Sequence, residues 1–158
     1  MFKQTLTKAQ VLQKLRHFCS YQDRCHSEVK EKLYNLGVRN TDHEEIIATL
    51  VEEGFLNEER FAMLFASGKF RLKQWGKVKI KHALKQKQVS EYCIQKALGQ
   101  INEKDYNKTL YKLAEQKLKT LAGEKNIFIK KRKLQDYLLQ KGYEHDLISS
   151  VMAVVTEQ

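Results

Sequence analysis

The chain has 158 residues, no proline and only seven glycines, which is room for one compact domain or a row of small helical modules. No apolar run approaches the roughly twenty residues that cross a bilayer, and Met1 to Ala9 lack the basic head and apolar stretch of a secretory signal, so a cytoplasmic protein without membrane attachment is expected. The net charge of +10 is unevenly placed: residues 1–67 carry nine Lys and Arg against ten Asp and Glu, whereas residues 68–158 carry twenty against nine.

Lys, Gln, Glu, Leu and Ala are abundant, and apolar residues recur at spacings of three and four, which predicts helix almost throughout. Val11, Leu12, Leu15, Phe18 and Cys19 form a first stripe. Val29, Leu33 and Leu36 form a second, ending at Gly37, a natural helix stop. Thr41 and Glu44 have capping-box spacing and open a helix carrying Ile46, Ile47, Leu50 and Val51, which Gly54 closes. Asn57 then caps a longer helix with Glu58 and Glu59 in its first turn. Its expected buried side holds Phe61, Leu64, Phe65 and Leu72.

The pattern repeats. Val29, Leu33 and Gly37-Val38 align with Ile80, Leu84 and Gln88-Val89, and again with Leu134, Leu138 and Gly142-Tyr143. A further helix follows each time, near 42–53, 90–101 and 144–157, and another precedes it, near 8–20, 57–73 and 104–122. The expected fold is all-α, with three tandem three-helix modules (1–54, 55–102 and 103–158) forming an elongated, curved chain. Each module has a small core and leans on its neighbours. A single irregular nine-helix globule is the alternative.

Between residues 68 and 87 stand Lys69, Arg71, Lys73, Lys77, Lys79, Lys81, Lys85 and Lys87 with no acid, and Lys130, Lys131, Arg132 and Lys133 follow later. An acid-free run of this length attracts a polyanion, and nucleic acid leads the candidates over a merely solvated face. Lys77, Lys81 and Lys85, four residues apart, share one flank of a helix. Trp75 lies inside the basic stretch at a helix corner. It suits stacking on a base, although a lone Trp there is more often a core anchor. Tyr106, Tyr111, Tyr137 and Tyr143 have the same bland reading.

Cys19, Cys25 and Cys93 match no zinc spacing and read as small buried apolar residues; no metal or other cofactor is expected. No phosphate-cradling glycine loop, nucleophile elbow or paired-histidine metal motif occurs, so no catalytic residue is assigned. Glu44-Glu45, Glu52-Glu53 and Glu58-Glu59 diverge around their helices. His17, His26, His43, His82 and His145 read as surface or capping residues.

The junction Gly54-Phe55-Leu56-Asn57-Glu58-Glu59-Arg60-Phe61-Ala62 is a helix stop followed at once by a helix start. Arg60 is placed to pair with nearby acids or to reach a partner. Together with Trp75-Gly76 and Lys79-Ile80 through Lys87, this run resembles the RecX family of recombinase regulators. Leu15, Tyr21, Arg24, His26-Ser27-Glu28-Val29 and Lys32-Leu33 look familiar in the same way. The resemblance is specific mainly over residues 15–89. Gln88 stands where the family often has Gly, so a left-handed turn there costs more. Tyr21 to Cys25 carry fewer basic residues than is common, which puts a DNA role for the first module in doubt.

The resemblance implies tandem three-helix repeats that bind the RecA recombinase and its nucleoprotein filament, lie along the filament groove, and inhibit ATP hydrolysis and strand exchange. It also implies contact with single-stranded and by extension double-stranded DNA, with a monomer expected. A stand-alone DNA- or RNA-binding regulator is the alternative. The helices near 42–53, 90–101 and 144–157 are weakly charged or acidic and make poor groove readers, which favours the first reading. A basic nuclease, lacking a carboxylate cluster, comes last.

Overall fold

The structure is a computed structural model that describes residues 5–157. Met1–Gln4 and Gln158, and with them part of the Met1–Ala9 reading, lie outside the described residues. Among the described residues there are nine α-helices and no strand: α1 Lys8–Tyr21, α2 His26–Asn35, α3 Asn40–Glu52, α4 Glu58–Lys73, α5 Lys77–Gln86, α6 Glu91–Gly99, α7 Glu103–Thr120, α8 Ile127–Lys141 and α9 His145–Val155. The all-helical expectation holds, and so does the threefold succession of helices. None of the described helices is long and apolar enough to cross a membrane.

The sequence repeat has a physical cause. Leu33, Leu84 and Leu138 each accept the same backbone bond, from Val38 N–H at 3.0 Å, Val89 N–H at 3.1 Å and Tyr143 N–H at 3.3 Å. That bond ends a helix only if the residue just before the donor turns left-handed. Gly37 does so at φ 79° and Gly142 at φ 95°. Gln88 does so at φ 62°, paying a steric penalty that glycine does not. Gln88→Gly is therefore expected to raise stability by about 0.5–1 kcal/mol, after allowing for the extra chain entropy of glycine. Thermal unfolding of the two chains measures it.

The chain forms two compact units, one from the described residues up to Leu64 together with Leu84–Lys96, the other from Phe65–Ala83 together with the described residues from Ala97 onward. In the first unit, Val11, Leu15 and Cys19 of α1 meet Val29 and Leu33 of α2 and Ile46, Ile47 and Leu50 of α3, with Leu56 beneath. Leu12, Phe18, Leu36, Val38 and Phe55 pack around this centre. In the second unit, α7, α8 and α9 pack on one another and bury Tyr106, Leu110, Leu113, Leu134, Leu138, Tyr143, Ile148 and Val155. Each fully buried Leu or Ile contributes about 1.5–3 kcal/mol relative to exposure.

Three local expectations are corrected. Thr41 does not cap α3: the helix starts at Asn40, and its cap residue Arg39 makes no side-chain cap bond. The first turn closes instead through Asp42 N–H to the Arg39 carbonyl at 2.9 Å, with Val38 packed against the core just before it. On α4, Leu64 and Leu72 are exposed, and the buried residues are Phe61, Ala62 and Ala66. Alanines let a neighbour approach closely, so the small residues mark the packed face. His43 is buried, not on the surface. It shares the core face of α3 with Ile46 and Ile47, and its Nε2 lies 3.1 Å from the Val38 carbonyl. A carbonyl only accepts, so Nε2 carries the proton.

Cys19, Cys25 and Cys93 are free and buried. Burial pushes the Cys19 and Cys25 thiols up, the direction expected of packed rather than reactive cysteines. Among the described residues no group of three or more His, Cys, Asp or Glu is placed to hold a metal.

Candidate nucleic-acid interface

The centre of the basic stretch is the corner between α4 and α5, in the second unit. Gln74 takes a left-handed conformation at φ 58°, and Trp75 N–H reaches back to the Lys69 carbonyl at 3.2 Å. Gly76 then lies against the turn that ends α8: its N–H donates to the Lys141 carbonyl at 2.8 Å, and Val78 N–H donates to the Gly142 carbonyl at 2.9 Å. A Cβ on Gly76 would collide with the Gly142 carbonyl, and a Cβ on Gly142 would collide with Lys79. Two glycines face to face thus let the backbones dock.

Tyrosines fasten the seat from below. Tyr143 donates its hydroxyl proton to the Gln74 carbonyl at 2.9 Å. Tyr106 accepts from Lys77 N–H at 2.9 Å and donates to the Glu144 carboxylate. The two rings stand 5.1 Å apart, with Phe70 at 5.7 Å from Tyr106. Burial raises both phenols well above their ordinary value, and Glu144 raises them further. A group whose folded pKa is raised contributes stability that is complete below its unfolded pKa and is lost as pH rises towards the folded one. Stability should therefore fall above about pH 10, by at most about 1.4 kcal/mol per pH unit for each tyrosine. Urea unfolding at stepped alkaline pH, compared with Tyr143→Phe, checks it.

On this seat the cations gather around Trp75. The ring is half-buried, with Lys69 Nζ 4.9 Å and Lys79 Nζ 4.7 Å from its centroid. Lys69 also lies 5.4 Å from the Phe65 ring, and Lys79 reaches the Gln140 carbonyl at 3.4 Å. Lys141 donates to the Lys73 carbonyl at 3.2 Å, Arg71 and Lys73 are exposed, and Lys77 Nζ stands 4.8 Å from Tyr106. Lys81 is half-buried on α5. On α8, Lys130 is half-buried, Lys131 and Arg132 are exposed, and Lys133 pairs with Glu124 at 3.6 Å. Successive residues of a helix point about 100° apart, so this run does not form one face.

Lys85 and Lys87 belong to the first unit. Lys85 is exposed. Lys87 is engaged: its Nζ lies 3.4 Å from Glu28, and its carbonyl accepts the Ser27 hydroxyl at 2.6 Å. Glu28 also takes Cys25 N–H at 3.1 Å, so Ser27 and Glu28 at the start of α2 fasten the end of α5. The junction residues serve the same unit. Asn57 caps α4 by accepting Arg60 N–H at 2.9 Å, Arg60 pairs with Asp23, Leu56 and Phe61 are buried, and Gly54 turns at φ 79°.

Sequence reasoning missed Lys141, which stands beside the repeated turn glycine, and Glu144, which receives the Tyr106 proton. It also passed over Lys117 of α7, whose Nζ lies 5.0 Å from the Tyr137 ring. The surplus of cations after residue 68 was the available signal.

Comparison with known proteins decides the family. The model of the second three-helix domain of RecX matches residues 57–98, and that of the third matches residues 103–152. The chain belongs to the RecX family. The regulatory protein RecX of Clostridium perfringens is 35% identical over 130 residues, covering 82% of this chain and 60% of that protein. That of Clostridium tetani is 34% identical over 126 residues, covering 79% and 57%. The chain thus spans about 60% of the length of these RecX relatives. The crystal structure of RecX from Lactobacillus salivarius superposes with a TM-score of 0.84 at 23% identity, over 95% of this chain and 97% of that one. That likeness supports the tandem three-helix fold of the RecX family.

Proposed function

We propose that this chain is a non-enzymatic regulator of homologous recombination and DNA repair that binds RecA and the RecA–single-stranded DNA filament and lowers its ATP hydrolysis and strand exchange. Membership of the RecX family supports the reading, and the curated relatives carry the name of a regulatory protein. The observation that carries the nucleic-acid part is the lysine-flanked Trp75 on the Gly76–Gly142 seat.

Lys69 and Lys79 hold the ring weakly, through contacts worth about 0.5–1 kcal/mol each at exposed positions. A phosphodiester offers each ammonium a full charge and lets the ring take a base instead. Three modules, 1–54, 55–102 and 103–158, engage successive filament subunits, and linked modest contacts raise the overall affinity. The chain acts as a monomer and uses no cofactor.

Added to RecA–single-stranded DNA, the protein should lower ATP turnover several-fold at stoichiometric ratios and slow strand exchange. DNA binding with no change in either rate would move the protein to the stand-alone reading.

A further inference from the structure

The first module, nearly neutral by charge count, carries a cationic hollow of its own. It lies between α1 and α2, has a volume of about 540 Å³, and is lined among others by Lys14, His17, Phe18, Tyr21, Arg24 and Lys32, with no acidic residue in its wall. The volume suits a nucleotide-sized ligand. Arg24 is held in place: its Nε donates to the Phe18 carbonyl at 3.1 Å, and its guanidinium lies 3.8 Å from the Phe18 ring centroid. Lys32 Nζ approaches the same ring at 5.6 Å. Tyr21, at the rim, is 79% exposed.

We infer that this hollow is a second contact for single-stranded nucleic acid, with Lys14, Arg24 and Lys32 taking phosphate and Tyr21 stacking on a base. Asp23 pairs with Arg60, Glu28 with Lys87 and Glu53 with Arg16, and Glu31 lines a different hollow with Lys30, Tyr34 and His43. The wall itself thus carries Lys14, Arg24 and Lys32 and no carboxylate, although the module as a whole is not basic. An anion answers the lysines and the guanidinium. An exposed ring beside them asks for a planar partner as well, which an acidic peptide lacks and which duplex DNA keeps stacked inside the helix. Single strands supply both, an accessible base and a phosphate in each nucleotide. The contact needs no RecA, so it stands or falls apart from the regulatory reading.

The test uses the full chain and a labelled twelve-residue oligothymidylate, followed by fluorescence anisotropy. Tyr21→Ala is expected to weaken binding about fivefold to tenfold and Tyr21→Phe to leave it within about twofold, since only the plane matters. Lys14→Glu should weaken binding and flatten its dependence on salt by about one phosphate contact. Both positions are exposed, so thermal unfolding should be unchanged. Photo-cross-linking with a bromouracil-substituted strand should mark the peptide that contains Tyr21. Wild-type affinity in Tyr21→Ala and Lys14→Glu, or cross-links only beyond residue 68, would overturn the assignment. So would a glutamate-rich peptide that binds the hollow more tightly than the oligonucleotide.

Discussion

Gly76→Ala is expected to destabilise the protein by about 3 kcal/mol, whereas Gly68→Ala, one helix earlier, should stabilise it by about 0.5–1 kcal/mol. The added atom is the same, and the surroundings decide the sign. At Gly68, within α4, a Cβ meets nothing within 4 Å, so alanine brings only its better helix propensity. At Gly76 it meets backbone, the Gly142 carbonyl and the Tyr143 nitrogen, which cannot swing aside as a side chain would. Relief requires the α4–α5 corner to lift. The bonds from Gly76 to Lys141 and from Val78 to Gly142 are then lost, at about 1 kcal/mol each, on top of the overpacking cost. The buried Tyr143-to-Gln74 bond is strained with them. Urea unfolding followed by circular dichroism separates the two variants. Equal midpoints for the two would mean that the backbones do not dock as described.

Gly76 also shows which features a sequence reveals. As a residue it reads only as the neighbour of Trp75, because the atom that forbids a side chain there belongs to Gly142, far along the chain. Helices, stops and the threefold repeat were legible because their causes are local. An apolar stripe recurs within each helix, and one left-handed residue closes each turn at Gly37, Gln88 and Gly142. Errors arose where tertiary packing chose among local options. Thr41 and Glu44 had the right spacing for a cap, yet Val38 seated against the core sets the start of α3 two residues earlier than that cap predicts. Leu64 and Leu72 looked like core because they are large, while Ala62 and Ala66 are the residues that pack. The candidate interface was legible as charge and not as geometry. Lys69 and Lys79 stand ten residues apart on different helices, and only the corner at Gln74–Gly76 brings both to one ring.

That geometry selects the variant with the largest expected effect on binding. Lys77, Lys81 and Lys85 share a helix flank, but Lys77 lies over the Tyr106 ring and helps to form the seat, so reversing it mixes folding with recognition. Lys69→Glu with Lys79→Glu removes the two cations nearest Trp75 and replaces them with charges that repel phosphate. Because Lys79 also packs on Gly142 and reaches the Gln140 carbonyl, thermal unfolding of this pair beside Lys69→Gln with Lys79→Gln separates lost packing from lost charge. Affinity for a single-stranded oligonucleotide should fall about tenfold to a hundredfold at low salt, and the slope of log affinity against log salt should shrink by about 1.4, the share of two phosphate contacts on a single strand. A matched pair on α8, Lys131→Glu with Arg132→Glu, changes the net charge equally but sits on diverging directions of one helix, so its effect should be smaller. If both pairs weaken binding alike, long-range charge is responsible, and the Trp75 corner has no special place. If the first pair alone acts, and RecA–DNA turnover recovers in parallel, the corner links nucleic-acid contact to regulation.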